Sequence, residues 1–300
     1  MHYRDDRGES RTRIRSDTVS GLVSIVIPTR NAAVYLKPTL DSVSVQTYPH
    51  VEVIVSDNGS TDETLSIAAL YGCRVVKSGG ERSIQLNEAI RAANGAYIYR
   101  IDADFILDPG VLEECVSLCQ AGADAVSVHN DSSPSLGFWS RVRNLERMTY
   151  RNDDLIVGAR FFRTEAIRRI GGFDEELVAG EDYDIHNRLI EAGYTMARSM
   201  RGEVHLGEPR SLGEIWSKSY YYGLTIHKYI QRHPKRAVAQ LFPIRKSFLK
   251  HWRDLAAHPM LTVGIVVMMA TKGIAAASAF VISTIGGRFR KRVDSPTRSA

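Results

Sequence analysis

Three short apolar runs rich in β-branched residues, each broken off by polar residues, restrict what this chain can fold into more than any other feature. Val23-Ser24-Ile25-Val26-Ile27 stops at Pro28-Thr29-Arg30-Asn31, residues 51–55 stop at Ser56-Asp57-Asn58-Gly59, and Ile98-Tyr99-Arg100-Ile101 stops at Asp102-Ala103-Asp104. Such runs read as strands buried on both faces of a parallel sheet. Between them Leu36, Leu40 and Val43 recur at helical spacing, and Ser60 with Glu63 forms a capping-box pattern for a second helix. A short strand at Val75-Val76 precedes a third helix over residues 84–93, and a fourth is expected over 109–120, with Pro109 placed for its first turn. This alternation predicts an α/β fold with a doubly wound sheet. In open sheets of that kind ligands bind beyond the carboxyl ends of the strands, so the polar residues that end each run are expected to face one crevice.

The third run ends in two carboxylates one residue apart. On a strand, positions i and i+2 share a face, so Asp102 and Asp104 are expected to converge. Hard cations such as Mg2+ or Mn2+ take oxygen ligands and commonly arrive with a substrate's phosphates, which makes a metal-diphosphate site the functional reading. The simpler alternative is that the two aspartates cap a strand and open a turn. Downstream, residues 125–128 read as a strand, 130–137 as a loop built of turn residues, Phe138–Tyr150 as an amphipathic helix carrying Arg141, Arg143 and Arg147, and 157–162 as extended. Gly171-Gly172-Phe173-Asp174 is turn chemistry, and Gly180 precedes Glu181-Asp182-Tyr183-Asp184, which opens a helix through Ile185, Leu189 and Ile190.

These blocks together resemble the family-2 glycosyltransferases of the GT-A fold. The resemblance is carried by residues 23–31, Asp57-Asn58-Gly59-Ser60-Thr61-Asp62, Asn87 followed by Asp102-Ala103-Asp104, and Gly180-Glu181-Asp182-Tyr183-Asp184, in that order within residues 21–220. It implies that Pro28, Thr29, Asn31 and Asp57 line a pocket for the base and ribose of a nucleotide-diphosphate sugar. Arg82 would meet the diphosphate, and surface solvation explains that residue equally well. Asp102 would sit near ribose and metal, and Asp104 would ligate a divalent ion, Mg2+ or Mn2+. His205 would touch the metal or phosphates, or else be a structural histidine, and Lys218 would stabilise the departing diphosphate or belong to an aromatic interfacial run. Asp182 would be the general base, with Glu181 or Asp184 holding neighbouring groups or the acceptor. One base with no second nucleophile fits a single inverting displacement by a hexosyltransferase. Where related sequences often carry Arg before the equivalent of Asn87, this chain has Leu86.

A carboxylate of ordinary pKa, about 4, is a weak base, so Asp182 is expected to be made more basic by partial desolvation and a nearby like charge, against the lowering effect of a helix N-terminus. The alternative is that Glu181 and Asp182 only complement that helix dipole.

Three hundred residues with 44% apolar content suffice for one large core, or for a domain with an appendage. The first 20 residues, with Arg4, Arg7, Arg11, Arg13 and Arg15 among acids and serines, read as a disordered tail and lack the apolar segment of a secretory signal. The net charge of +5 is not arranged as a basic stripe interleaved with aromatics, so nucleic acid is not expected as a partner. Cys73, Cys115 and Cys119 show no metal-ligand spacing, which suits a reducing, cytosolic location for the main domain.

After a catalytic domain over 21–215, residues 216–257 are expected to form amphipathic juxtamembrane helices whose basic apron (His227, Lys228, Arg232, Lys235, Arg236, Arg245, Lys246, Lys250 and Arg253) suits anionic lipid headgroups. Residues 258–286 are apolar for long enough to span a bilayer, which takes about 20 residues. Lys272, however, falls near the centre, where a lysine costs roughly 2.5 to 3.5 kcal/mol. The basic tail over 287–300 should also remain cytoplasmic. A re-entrant hairpin turning at Lys272-Gly273 satisfies both demands, a single membrane-embedded helix is the plainer form, and a buried core helix is the soluble alternative. A membrane-held enzyme with its catalytic domain on the cytoplasmic side of the cell membrane implies a lipid-linked acceptor, such as a polyprenyl or dolichyl phosphate saccharide, in surface-glycan assembly or protein N-glycosylation. Its partners would be the sugar donor, that acceptor and membrane lipids. Rival readings are a transferase for extracellular polysaccharide or lipopolysaccharide and a non-catalytic membrane scaffold. A dehydrogenase is excluded by the missing Gly-x-Gly-x-x-Gly, and a nucleotidyltransferase by the missing glycine-rich loop after Pro28.

Overall fold

A computed structural model describes residues 19–153, 155–241 and 246–293. Most of the N-terminal tail, Arg245 of the apron and the last seven residues lie outside the described residues. In chain order the first half holds β1 (Val19–Thr29), α1 (Ala33–Ser44), β2 (Val51–Asp57), α2 (Thr64–Leu70), β3 (Arg74–Lys77), α3 (Arg82–Ala92), β4 (Gly95–Arg100), β5 (Phe105–Leu107), α4 (Val111–Gln120), β6 (Ala125–Ser127), β7 (Asn130–Ser132) and α5 (Phe138–Tyr150). The second half holds β8 (Ala159–Arg163), α6 (Thr164–Arg169), α7 (Glu181–Glu191), β9 (Met196–Arg198), β10 (Glu203–His205), α8 (Leu212–Gly223), α9 (Ile226–Arg232), α10 (Pro234–Leu241), α11 (Lys246–Lys250), α12 (Trp252–Ala257) and α13 (Pro259–Val293).

Strand periodicity sorts the core into two layers. Ile25, Ile27, Tyr97, Tyr99 and Phe161 face α1 and α4, where Leu36, Leu40, Leu112, Cys115 and Cys119 pack, whereas Val26, Ile54, Ile98 and Phe162 face α3, α6 and α7. Alternate residues of one strand thus bury themselves against opposite helical layers. The seven strands stand in the order β3-β2-β1-β4-β8-β6-β9, and β5-β10-β7 make a second, three-stranded sheet. Contrary to an all-parallel expectation, β8 runs antiparallel between β4 and β6.

Local differences from the sequence reading have identifiable causes. Ser60 does not cap α2, whose N-cap position is Glu63 without a side-chain cap; Thr64 N donates to Asp62 Oδ1 at 3.0 Å, while Ser60 is turned toward the loop after β1. Helix α4 begins at Val111 behind Gly110, so Pro109 precedes it. The expected loop over 130–137 is partly ordered as β7, which pairs with β10, followed by a 3-10 turn over Pro134–Leu136.

The re-entrant hairpin does not form, because α13 runs unbroken through Lys272 and Gly273. Lys272 points back onto α5, its ammonium 3.6 Å from Glu146 Oε2, and this removes the physical reason for a turn there. Two glycines let the helix approach closely: a Cβ on Gly223 would lie 2.7 Å from Ala276 Cα, and one on Gly264 would lie 2.5 Å from Val142 Cγ2. Helix α13 therefore packs along α8 and α5, with Ile265 and Met268 buried against Val142, Leu145 and Ile215.

Candidate active site

The lip of the site is made where β1 ends. Asn31 takes the left-handed conformation, φ +51°, unusual for a residue with a Cβ. Thr61 N donates to Asn31 Oδ1 at 2.8 Å, and Asn31 N donates to Ser60 Oγ at 2.8 Å. Asp57 braces both loops, accepting from Thr29 Oγ1 at 3.0 Å and from Ser60 N at 2.9 Å. It is buried behind the lip, whereas Pro28, Thr29 and Asn31 line a cleft of about 320 Å³. Arg82, Asp102, Asp104, His205 and Lys218 line the same cleft from its other sides.

Asp102 and Asp104 lie in the turn between β4 and β5 rather than on a strand, so their side chains take different partners. Asp102 faces Arg82, whose Nη1 is 3.3 Å from both carboxylate oxygens, and Arg100, whose Nη2 is 3.6 Å from Oδ1. Burial pushes the Asp102 carboxyl up, but the Arg100 and Arg82 charges outweigh it and hold the group well below the usual carboxylate range.

Asp104 faces His205 instead, with Oδ2 3.0 Å from Nε2, and the other ring nitrogen of His205 is 2.8 Å from Glu208 Oε1. Burial lowers the imidazole pKa, yet its hydrogen bonds to Asp104 and Glu208 raise it on balance. A Cβ on Gly207 would lie 2.0 Å from Asp104 Oδ2, so only glycine leaves this corner open. Among the described residues no group of three or more His, Cys, Asp or Glu could hold a metal by itself. An ion shared with phosphates can nevertheless be held by as few as one or two protein ligands. The 3.0 Å between Asp104 Oδ2 and His205 Nε2 matches neighbouring ligands of an octahedral ion with bonds of about 2.1 Å, so the pair fits such an ion. Lys218 on α8 lines the cleft beside His205, and burial lowers its ammonium pKa, partly offset by Glu208 and Asp104.

A second cavity of about 460 Å³ shares Arg82 with the first cleft and is lined by Glu181, Asp182 and Arg160. Helix α7 begins at its wall behind Gly180, φ +83°, where a Cβ would sit 2.7 Å from the Tyr229 ring. That backbone conformation and that close approach both require glycine. The like charge expected beside Asp182 is not what the fold supplies. Glu181 is turned to Arg82 in an ion pair, and the neighbour of Asp182 is the buried Arg100, whose Nη2 is 3.0 Å from Oδ1 and whose Nη1 donates to Oδ2 at 3.2 Å.

Of the residues given a site role from sequence, all but Asp57 and Asp184 line one of these two adjoining cavities, and Asp184 is buried against Arg188 and His233 instead. Arg100 and Glu208 were missed. Arg100 sits inside an apolar strand run, where a lone arginine gives no signal, and Glu208 stands three residues after His205, a spacing that could have found it.

Residues 24–171 match the family model described as glycosyl transferase family 2. An uncharacterized glycosyltransferase of Rickettsia typhi is 30% identical over 197 residues, 59% of this chain and 61% of that protein. A chondroitin synthase of Pasteurella multocida is 30% identical over 184 residues, 57% of this chain and 19% of the synthase. The chain thus spans about three fifths of the first relative's length and about one fifth of the second's. Among solved structures, a Pyrobaculum calidifontis mannosyltransferase in complex with GDP-Man and Mn2+ superposes with a TM-score of 0.62 at 21% identity, over 86% of each chain. S. aureus TarS 1-349 in complex with UDP-GlcNAc gives 0.51 at 16% identity, over 90% of this chain and 92% of that one. The fold is therefore GT-A-like, and residues 24–171 are similar to the glycosyl transferase family 2 model.

Proposed function

We propose that the protein is an inverting hexosyltransferase that moves a sugar from a nucleotide-diphosphate donor to a lipid-linked saccharide at the cytoplasmic face of a membrane. The observation that carries this reading is the pair of adjoining cavities. A cleft with the Asp104–His205 pair and Lys218 meets, across Arg82, a cavity floored by Asp182. The mannosyltransferase and TarS relatives bind GDP-Man with Mn2+ and UDP-GlcNAc, which supports a donor of this class in the first cleft.

In this reading Pro28, Thr29 and Asn31 hold the nucleoside and Arg82 the diphosphate. Asp104 and His205 would hold a divalent ion, which when bound neutralises charge on the leaving diphosphate. Lys218 adds a further positive charge where the leaving group departs. Asp182 takes the proton of the attacking acceptor hydroxyl, and Arg100 fixes its carboxylate in the orientation needed for that transfer. The sugar passes in one displacement, with the acceptor entering from the second cavity. A lipid-linked acceptor and a membrane location are supported by α13, whose Pro259–Ser283 portion is long and apolar enough to cross a membrane and whose outward residues, among them Val263, Val266 and Ile274, are exposed.

The test separates an enzyme from a scaffold. Asp182→Asn should bind UDP or GDP with Mn2+ as wild type does, yet lose about 10²- to 10⁴-fold in transfer rate, the usual contribution of a general base. Unchanged transfer by Asp182→Asn would refute the assignment, and a wild-type protein that binds no nucleotide would favour the scaffold.

A further inference from the structure

Lys272 is the one charged residue between Pro259 and Ser283, and it is turned toward Glu146 of α5 with about a third of its side chain (35%) still exposed. It helps to wall a cavity of about 250 Å³ between α5, α8 and α13 that shares Arg143, Arg147, Tyr222 and Lys272 with the cavity holding Asp182. Among the described residues lining this smaller cavity, Arg143, Arg147, Lys218 and Lys272 are cationic and Glu208 alone is anionic. Glu146 stands behind it, paired with Arg143 and Lys272. Arg147 is more than nine-tenths buried. One of its nitrogens is 2.8 Å from Glu208 Oε1, and its Nε has no hydrogen-bond partner. Burial and the like charge of Arg143 hold its guanidinium below the usual value. Glu146 and Glu208 leave this partly buried cluster with a surplus of positive charge, which a bound anion would complete.

The walls turn apolar in one direction only. Trp139, which lines the smaller cavity, also lines a groove of about 440 Å³ with Phe138, Met260, Val263 and Val267, open toward the exposed side of α13. From Asp182 outward the surface therefore runs polar cavity, cationic cluster, apolar groove. Arg143, Arg147 and Lys272 do not line the donor-side cleft, whose cations are Arg30, Arg82 and Lys218.

We propose that Arg143, Arg147 and Lys272 form an anion subsite for the phosphate of a lipid-phosphate acceptor, whose hydrocarbon chain leaves past Trp139 along the groove between α5 and α13. This rests on the reading that the acceptor is lipid-linked and assigns that acceptor a phosphate and a path. The opposing account is that the same charges only staple α13 to α5.

The test titrates the full chain in detergent micelles with farnesyl phosphate, farnesol and inorganic phosphate, followed by tryptophan fluorescence, with UDP or GDP plus Mn2+ as a check on the donor cleft. Wild type should bind farnesyl phosphate at least about tenfold more tightly than farnesol. Lys272→Met should lose about tenfold for farnesyl phosphate alone, and Lys272→Arg should restore it. Equal affinity for farnesyl phosphate and farnesol, or an unchanged Lys272→Met, would overturn the subsite and leave the lipid reading standing. Inorganic phosphate competing at the same concentrations as farnesyl phosphate would overturn the lipid source of the anion. Failure to bind either farnesyl compound while nucleotide binding is intact would contradict the lipid-linked acceptor and the subsite with it.

Discussion

Asp104 depends on a histidine a hundred residues away, and His205 depends in turn on Glu208, so the proposed metal corner is only as firm as that chain of contacts. Removing His205 as His205→Ala should weaken Mn2+-dependent UDP or GDP binding about tenfold or more while leaving metal-free nucleotide binding in place. Isothermal titration with and without Mn2+ reads both, and equal losses in the two titrations would contradict the assignment. Glu208 carries a stability consequence. Burial raises its carboxyl, but the His205 hydrogen bond and the Arg147 and Arg143 charges outweigh burial and hold it well below the ordinary 4.5. Its stabilisation is therefore complete above the unfolded value and is lost as pH falls. Glu208→Gln should be less stable than wild type by about 3 kcal/mol at pH 7, with the gap closing as pH drops below about 4.5. Urea denaturation at pH 7 and pH 4 measures this, and a gap that ignores pH would contradict it. At this scale Asp104 and Asp182 can be singled out in the sequence because acids just past a strand or opening a helix stand out, whereas His205 comes only with the resemblance. Asp57 reads as a pocket wall from its motif, yet buries itself as a brace because Thr29 and Ser60 offer it donors.

Helix α7 delivers Asp182 to the cavity, and Gly180 sets where that helix starts. Gly180→Ala must adopt φ +83° and meet the Tyr229 ring, so a loss of roughly 1–3 kcal/mol is expected from the backbone alone. Thermal unfolding should show the drop, and transfer should fall more than donor binding because the displaced group is Asp182. A variant as stable and active as wild type would contradict the role given to that turn. At the element scale α5 is fully legible, Phe138–Tyr150 in both readings, because Phe138, Val142 and Leu145 recur at helical spacing, even though Arg147 is buried beside them. The direction of β8 is not, since pairing antiparallel to β4 and β6 is decided by the connections on either side rather than by its own residues. Nor is the straight course of α13: Lys272 argues for a turn only if lipid surrounds it, and the partner Glu146 lies 126 positions earlier in sequence.

Taken whole, α13 has a packed side and an exposed apolar side. Its inner face packs on α5 and α8, and its outer face presents Val263, Val266, Val267, Ile274 and Val281 to the surroundings. With the basic residues of α9 to α12 nearby in sequence, this arrangement suits a helix lying against an anionic bilayer. Wild type should float with vesicles containing phosphatidylglycerol, and Val266→Asp with Ile274→Asp should shift it to the aqueous fraction without loss of nucleotide binding. Flotation unaffected by the double change would contradict this. The alternation of strands and helices made the α/β architecture readable from the chain, whereas the meeting of three cavities was not readable, because it depends on how α13 lies across the domain. The proposed chemistry is metal-dependent transfer of a sugar from nucleotide diphosphate to lipid, with Asp182 taking the proton of the acceptor hydroxyl. It is tested most directly by incubating labelled nucleotide sugars with membranes containing wild type or Asp182→Asn, with and without EDTA, and counting the lipid fraction. Label is expected in lipid for wild type alone and should disappear with EDTA; equal labelling by the variant, or labelling indifferent to EDTA, would refute a metal-dependent transferase with its base at Asp182.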